Sequence, residues 1–183
     1  MNCIELMVEE HKNIKRMLRI IRIYCSKILN GEKVQYENFY MLIDFVRNYA
    51  DKHHHGKEET MLFIRMMEEL GSTAEKVIKY GMNVEHDLGR LHIQELEVAV
   101  KRVLDGDEES RLDVIANAIS YTHLLIRHID KEENVVYKYA QNNLSKAIMD
   151  KLDRECMVFE QKAKEENTQE RYLAMLKEFE VQI

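Results

Sequence analysis

The chain has 183 residues with no proline, no tryptophan and only six glycines, 45% hydrophobic and 33% charged side chains, and a formal charge of −6. The absence of proline favours long uninterrupted helices over a turn-rich sandwich, and the acidic balance lacks the basic footprint of a nucleic-acid binder. No run approaches the ~18 apolar residues of a membrane span. Cys3, Cys25 and Cys156 are odd in number and far apart, with no C-x-x-C, which fits neither a disulfide framework nor a zinc ribbon. The start, MNCIELMVEEHKNIKRM, is amphipathic and carries acids early. It reads as mature helix, so the expectation is a soluble, cytoplasmic, all-helical protein.

In chain order, the first segment runs to Asn30-Gly31, with the apolar stripe Ile4, Val8, His11, Ile14, Leu18, Ile21, Cys25 and Ile28. The second ends at Leu70-Gly71 and carries Ile43, Val46, Ala50, His54, Glu58, Met61 and Leu62. The third opens at Ser72, with Glu75 in capping-box register, and stops at Asp105-Gly106-Asp107. Its stripe is Met82, His86, Gly89, Ile93, Leu96 and Val100. The fourth extends from about Glu108 to Asn143 with Val114, Ala118, Tyr121, Leu125, His128, Glu132, Val135 and Tyr139. Four helices of similar length with short connections predict an all-α, up-down-up-down four-helix bundle over residues 1–142. Residues 143–183, with a cap at Ser145 and a break near Asn167-Thr168, are expected to form an additional helical extension on the bundle or against another subunit.

All four stripes carry a histidine at a core position, and two add a glutamate one turn later. With 24 glutamates and eight histidines, about one H-x-x-x-E is expected by chance, and three occur. More telling is an internal repeat, HHGKEETMLF (54–63) against HIDKEENVVY (128–137). Two carboxylates in a helical core would cost several kcal/mol each without a compensating cation. Arg90 is the one basic residue near the middle of these stripes, so a divalent transition metal, iron foremost, is the natural counter-charge for the mixed nitrogen and oxygen set. No E-x-x-H occurs, which removes the ferritin-like di-iron scheme.

The order of elements, His11, then His54 with Glu58, then His86, then His128 with Glu132, resembles the hemerythrin-like HHE cation-binding family. The resemblance implies a four-helix bundle with two non-haem iron ions, Glu58 and Glu132 bridging them. It implies that His11 and His54 serve one iron, and His86 and His128 the other. Its implied partners are dioxygen, another diatomic such as nitric oxide, or peroxide, with no nucleic acid and no membrane.

Two features depart from the oxygen carriers of that family. Met82 and Arg90 flank His86 where a further histidine belongs, and Glu132 stands at four residues from His128 in place of an aspartate at five. The His86/His128 iron is therefore expected to lack one nitrogen and to present an open position near Arg90, a route to peroxidase-like or iron-oxidising activity as the alternative to oxygen binding. His55 and Glu59 repeat the His–Glu spacing, but their face runs back to Asp51 and Asn48. They read as residues behind the ligands or facing solvent, with His55 the available substitute for the missing nitrogen. Glu59 and Glu133 point about 100° away from Glu58 and Glu132, and should matter little to the metal.

Overall fold

The computed structural model describes residues 1–182. Four long helices form the bundle: α1 (Cys3–Leu29), α2 (residues 38–70), α3 (residues 72–104) and α4 (residues 111–143). Asn2 starts α1 with a complete capping box, accepting from the Glu5 N–H at 2.9 Å while Glu5 accepts from the Asn2 N–H. Gly71 separates α2 from α3 at φ 69°, ψ −155°, a conformation that side-chain-bearing residues avoid. Glu75, expected to close a capping box with Ser72, pairs instead with Lys79 at 2.6 Å.

Among the described residues the buried apolar side chains form two clusters. One contains Cys3 and Met7 of α1, Leu62 and Met66 of α2, Ala74 and Met82 of α3, and Val136 and Ala140 of α4. The start of one helix thus meets the end of the next, which makes the bundle up-down-up-down. The other cluster fills the opposite half with Ile14–Cys25, Phe39–Ala50, Ile93–Val103 and Val114–Ile129 residues. Between the two lies a layer of buried histidines and glutamates.

Three of the bundle helices are locally underwound into π turns with i→i+5 hydrogen bonds. These are Val46–His55 and Glu58–Leu62 in α2, Ile78–Met82 in α3 and Glu132–Val136 in α4. π turns are rare and cluster at functional sites. Here they coincide with the polar layer.

Two further helices, α5 (Lys146–Glu165) and α6 (Thr168–Gln182), pack on the bundle of the same chain. Ser145 caps α5, and Asn167 turns the chain at φ 55°. Asp153 accepts from the Cys3 N–H at 2.8 Å, and Arg65 donates to Glu155 at 2.8 Å. On α6, Glu180 accepts from Arg16 at 2.7 Å, and Tyr172, Leu176 and Phe179 are buried in the second cluster. Burial of such side chains contributes about 1.5–3 kcal/mol each.

Candidate metal centre

The six residues singled out by the stripes, His11, His54, Glu58, His86, His128 and Glu132, are all buried in the polar layer. His55 joins them. Two groups of ligand atoms result, each gathered within 4.8 Å: His11, His54, Glu58 and Glu132 in one, and His55, Glu58, His86 and His128 in the other. Glu58 belongs to both. Glu132 also spans them, with Oε2 at 3.3 Å from His11 Nε2 and Oε1 at 2.9 Å from His128 Nε2. The Nε2 atoms of His86 and His128 stand 2.9 Å apart.

Each of the five imidazoles is held from behind by a carboxylate at Nδ1. His11 donates to Glu133 at 3.0 Å and His54 to Glu10 at 2.8 Å. His55 donates to Asp51 at 3.2 Å, His86 to Glu59 at 2.6 Å and His128 to Glu85 at 2.9 Å. Such partners fix the ring and its tautomer, leaving Nε2 as the free donor of a lone pair. Every carboxylate is in turn anchored by a cation: Lys15 on Glu133, Lys57 on Glu10, Arg90 on both Asp51 and Glu59, and Lys131 on Glu85. The result is a set of cation–carboxylate–imidazole chains converging on one point from all four bundle helices.

The inward ends of these chains are unsatisfied. His11 Nε2, His54 Nε2, Glu58 Oε2 and both oxygens of Glu132 are buried without a hydrogen-bond partner. Orphaned polar atoms of this kind cost about 1–3 kcal/mol each, so native proteins ordinarily avoid them. Metal ions placed among them would satisfy all five. Imidazole nitrogen with carboxylate oxygen suits a first-row transition metal, so the residues fit the group.

Residues 2–140 match the family model of the hemerythrin HHE cation binding domain. The chain belongs to the hemerythrin family. Among curated proteins no match is found.

The electrostatics of this hemerythrin domain are those of a cation site. Burial and the facing Glu132 carboxylate push the Glu58 carboxyl well above its ordinary range. Glu132 goes the other way: burial opposes its charge, but His128, His11 and His86 outweigh that and hold it low. Burial, then the neighbouring His11, lowers His54 to about 4, and burial with His86 beside it holds His55 well below the ordinary imidazole value. Both rings are thus neutral, the form that ligates metal. In His128, Glu132 and Glu85 overcome burial and raise the ring to about 9. The Tyr137 hydroxyl donates to Glu58 Oε1 at 2.5 Å, and its ring lies parallel to His11, 5.7 Å away. Burial, with Glu58 and Glu132 nearby, keeps that phenol protonated.

Several expectations are corrected. His55 does not face solvent: it is 6% exposed, and its ring stacks on His86 at 3.9 Å. It lies at the end of a ten-residue π stretch, whose wider turn keeps His54 and His55 on the same inward arc. His55 thus brings a third imidazole to the His86/His128 end, in the place of the substitute that its spacing offered. Arg90 does not face the cluster either; its guanidinium is spent on Asp51, Asp87 and Glu59. Glu59 and Glu133 do point away from the ligand atoms of their own helices, yet each reaches an imidazole on a facing helix.

A third polar group was hidden from sequence reasoning. Glu10, His53 and Glu160 converge as metal ligands could, but the fully buried Lys57 ammonium sits among them. It pairs with Glu10, lies 2.5 Å from Glu160 Oε1 and 3.1 Å from His53 Nε2. Lys57 is off the apolar stripe, and His53 reads from sequence as a helix flank; only the repeated Lys-Glu-Glu hinted at either. Tyr121, on the α4 stripe two turns before His128, lines with His55, His86 and Gly89 a cavity of about 410 Å³, its hydroxyl buried and unpaired.

Proposed function

We propose that this hemerythrin domain holds two iron ions and binds or senses dioxygen, or another diatomic such as nitric oxide. The ligands in this reading are His11 and His54 for one iron, and His86, His128 and His55 for the other, with Glu58 and Glu132 bridging. The observation that carries it is the convergence of five carboxylate-backed imidazoles on two shared carboxylates whose inner oxygens lack partners. A ferrous pair supplies the two electrons that a small oxidising ligand accepts.

The protein's own residues set the conditions for that ligand. With two imidazoles at the His11/His54 end against three at the other, an exchangeable position would fall to the former. Tyr137 lies at that end, holding one oxygen of Glu58. Met7 and Leu62 are buried in the adjoining apolar cluster, surroundings that would favour an uncharged diatomic ligand.

The deciding experiment is metal analysis with visible spectra recorded in air and after oxygen removal. About two irons per chain and a charge-transfer band that vanishes with oxygen support the reading. A folded protein that holds no metal after reconstitution with ferrous iron overturns it. Peroxide consumption is the second reading, favoured by the Tyr137 hydroxyl beside Glu58. Rapid turnover of hydrogen peroxide without a reversible oxygen spectrum would select it.

A further inference from the structure

Cys3 and Cys156 are separated by most of the chain, yet they meet. Cys3 opens α1, and its backbone N–H is bound by Asp153, one turn before Cys156 on α5. Residues three apart share a helix face, so Asp153 brings the Cys156 side chain to the Cys3 end of α1. Both thiols are free, buried in the same apolar cluster and near enough to shift one another's ionisation. Both also line one cavity of about 270 Å³, with Leu6, Met157 and Glu160 among its walls. A molecule the size of peroxide fits.

The two sulfurs are chemically unequal. The Cys3 thiol beside it, and then the Lys57 ammonium against the pull of burial, lower the Cys156 thiol below its ordinary value. Cys3 is driven the other way by the hydrogen bond to Cys156 and by burial. One sulfur is thus disposed to ionise and attack while the other keeps its proton, the arrangement of an attacking and a resolving cysteine. For Cys25, burial outweighs the opposing Arg22 guanidinium and pushes the thiol up to about 11.

We propose that Cys3 and Cys156 are a peroxide-oxidised dithiol whose disulfide clamps α5 to the start of α1. The Cys156 sulfur attacks one oxygen of hydrogen peroxide; the O–O bond breaks, water leaves, and Cys156 becomes a sulfenic acid. The Cys3 sulfur then attacks the Cys156 sulfur, the S–O bond breaks, and hydroxide leaves as water with the Cys3 proton. Two thiols have lost two electrons and two protons, and one peroxide has become two waters. Nothing in this chemistry uses the metal centre. The clamp would secure the helix that carries Glu160, which pairs with Lys57.

The test is graded hydrogen peroxide on the full chain, with and without a chelator, followed by non-reducing mass spectrometry. The expected product is lighter by two hydrogens, cross-linked between Cys3 and Cys156, and reversed by dithiothreitol, with Cys25 still a thiol. The rate should be the same with chelator present. Closing so long a loop should also raise the unfolding temperature by about 5 °C or more. In Cys3→Ser, oxidation should stop at a Cys156 sulfenic acid that dimedone captures. In Cys156→Ser, Cys3 should oxidise at least about tenfold more slowly. On the unmodified protein, iodoacetamide should label Cys156 before Cys25, a comparison that needs no variant to fold. The proposal is overturned if Cys25 reacts as fast as Cys156, if oxygen adds to Cys156 without a cross-link, or if the cross-link forms only when metal is present.

Discussion

The imidazole rings of His55 and His86 lie parallel, 3.9 Å between centroids and 9° between planes, although one comes from α2 and the other from α3. Parallel rings at that distance direct their nitrogens to the same side, and a carboxylate holds each from behind: Asp51 for His55 and Glu59 for His86. One guanidinium, Arg90, binds both carboxylates.

His55→Ala should therefore lower metal content from about two ions per chain toward about one, with His11 and His54 still ligating. Losing a carboxylate behind a metal-bound histidine typically costs 10–100-fold in affinity, so Arg90→Ala, one step further out, should weaken the same ion by about that much or less. Metal quantification after dialysis against a competing chelator checks both. Unchanged content in His55→Ala would place that ring outside the coordination sphere.

Lys57→Met should destabilise the fold strongly, because it leaves Glu10 buried without its cation. Breaking a buried pair by removing one partner costs about 3–5 kcal/mol. Glu10→Gln with Lys57→Met removes both charges and should recover much of that loss. It should still weaken the ion at His54, whose Nδ1 would face a neutral amide. Urea denaturation of the three proteins, with metal competition on the same samples, separates the two effects.

Tyr137→Phe removes the hydroxyl that donates to Glu58. An unsatisfied buried acceptor costs about 1–3 kcal/mol. That penalty should appear in full in the metal-free protein. It should shrink when metal is bound, since ligation engages Glu58 in place of the hydroxyl. Thermal unfolding of wild type and variant, each with and without ferrous iron, gives the difference directly.

Chelation should lower the unfolding temperature of the wild type by about 5–10 °C. A ligand present at a hundred times its dissociation constant stabilises by about 2.7 kcal/mol, and each kcal/mol moves the midpoint by about 2–4 °C at this size. Glu132→Gln should abolish most of that dependence, because Glu132 touches both halves of the cluster. Calorimetry that finds no metal-dependent shift in the wild type would argue that the ions are not bound between the helices.

The helix ends were legible because Asn30-Gly31, Leu70-Gly71 and Asp105-Gly106 stand where no apolar stripe continues. His11, His54, Glu58, His86, His128 and Glu132 were legible for the same reason: each occupies a stripe position that asks for an aliphatic side chain. His55 was not, since 3.6 residues per turn places it 100° from His54 and on a polar face. The carboxylates behind the imidazoles were mostly hidden too. Asp51 holds His55 from one turn earlier on its own helix, but Glu10, Glu59, Glu85 and Glu133 act across helices, and nothing in a single stripe tells which neighbour a side chain meets. Lys57 escaped notice because a buried ammonium is recognisable only once Glu10 and Glu160 are seen around it.

The π turns give the centre an unusual relation to chain length. A π turn holds about one residue more than an α turn, so each such stretch amounts to an insertion absorbed without a loop. Deleting a single residue between Val46 and Lys52 would let α2 relax to ordinary winding. The flanks would keep their register, since the π turn had already taken up the extra residue, and the change would fall on the wide turn itself. The apolar clusters on either side would stay in place, but His55, which shares the inward arc with His54 only through that wider turn, would swing out of the cluster. Bundle and metal centre are thus separable by one codon.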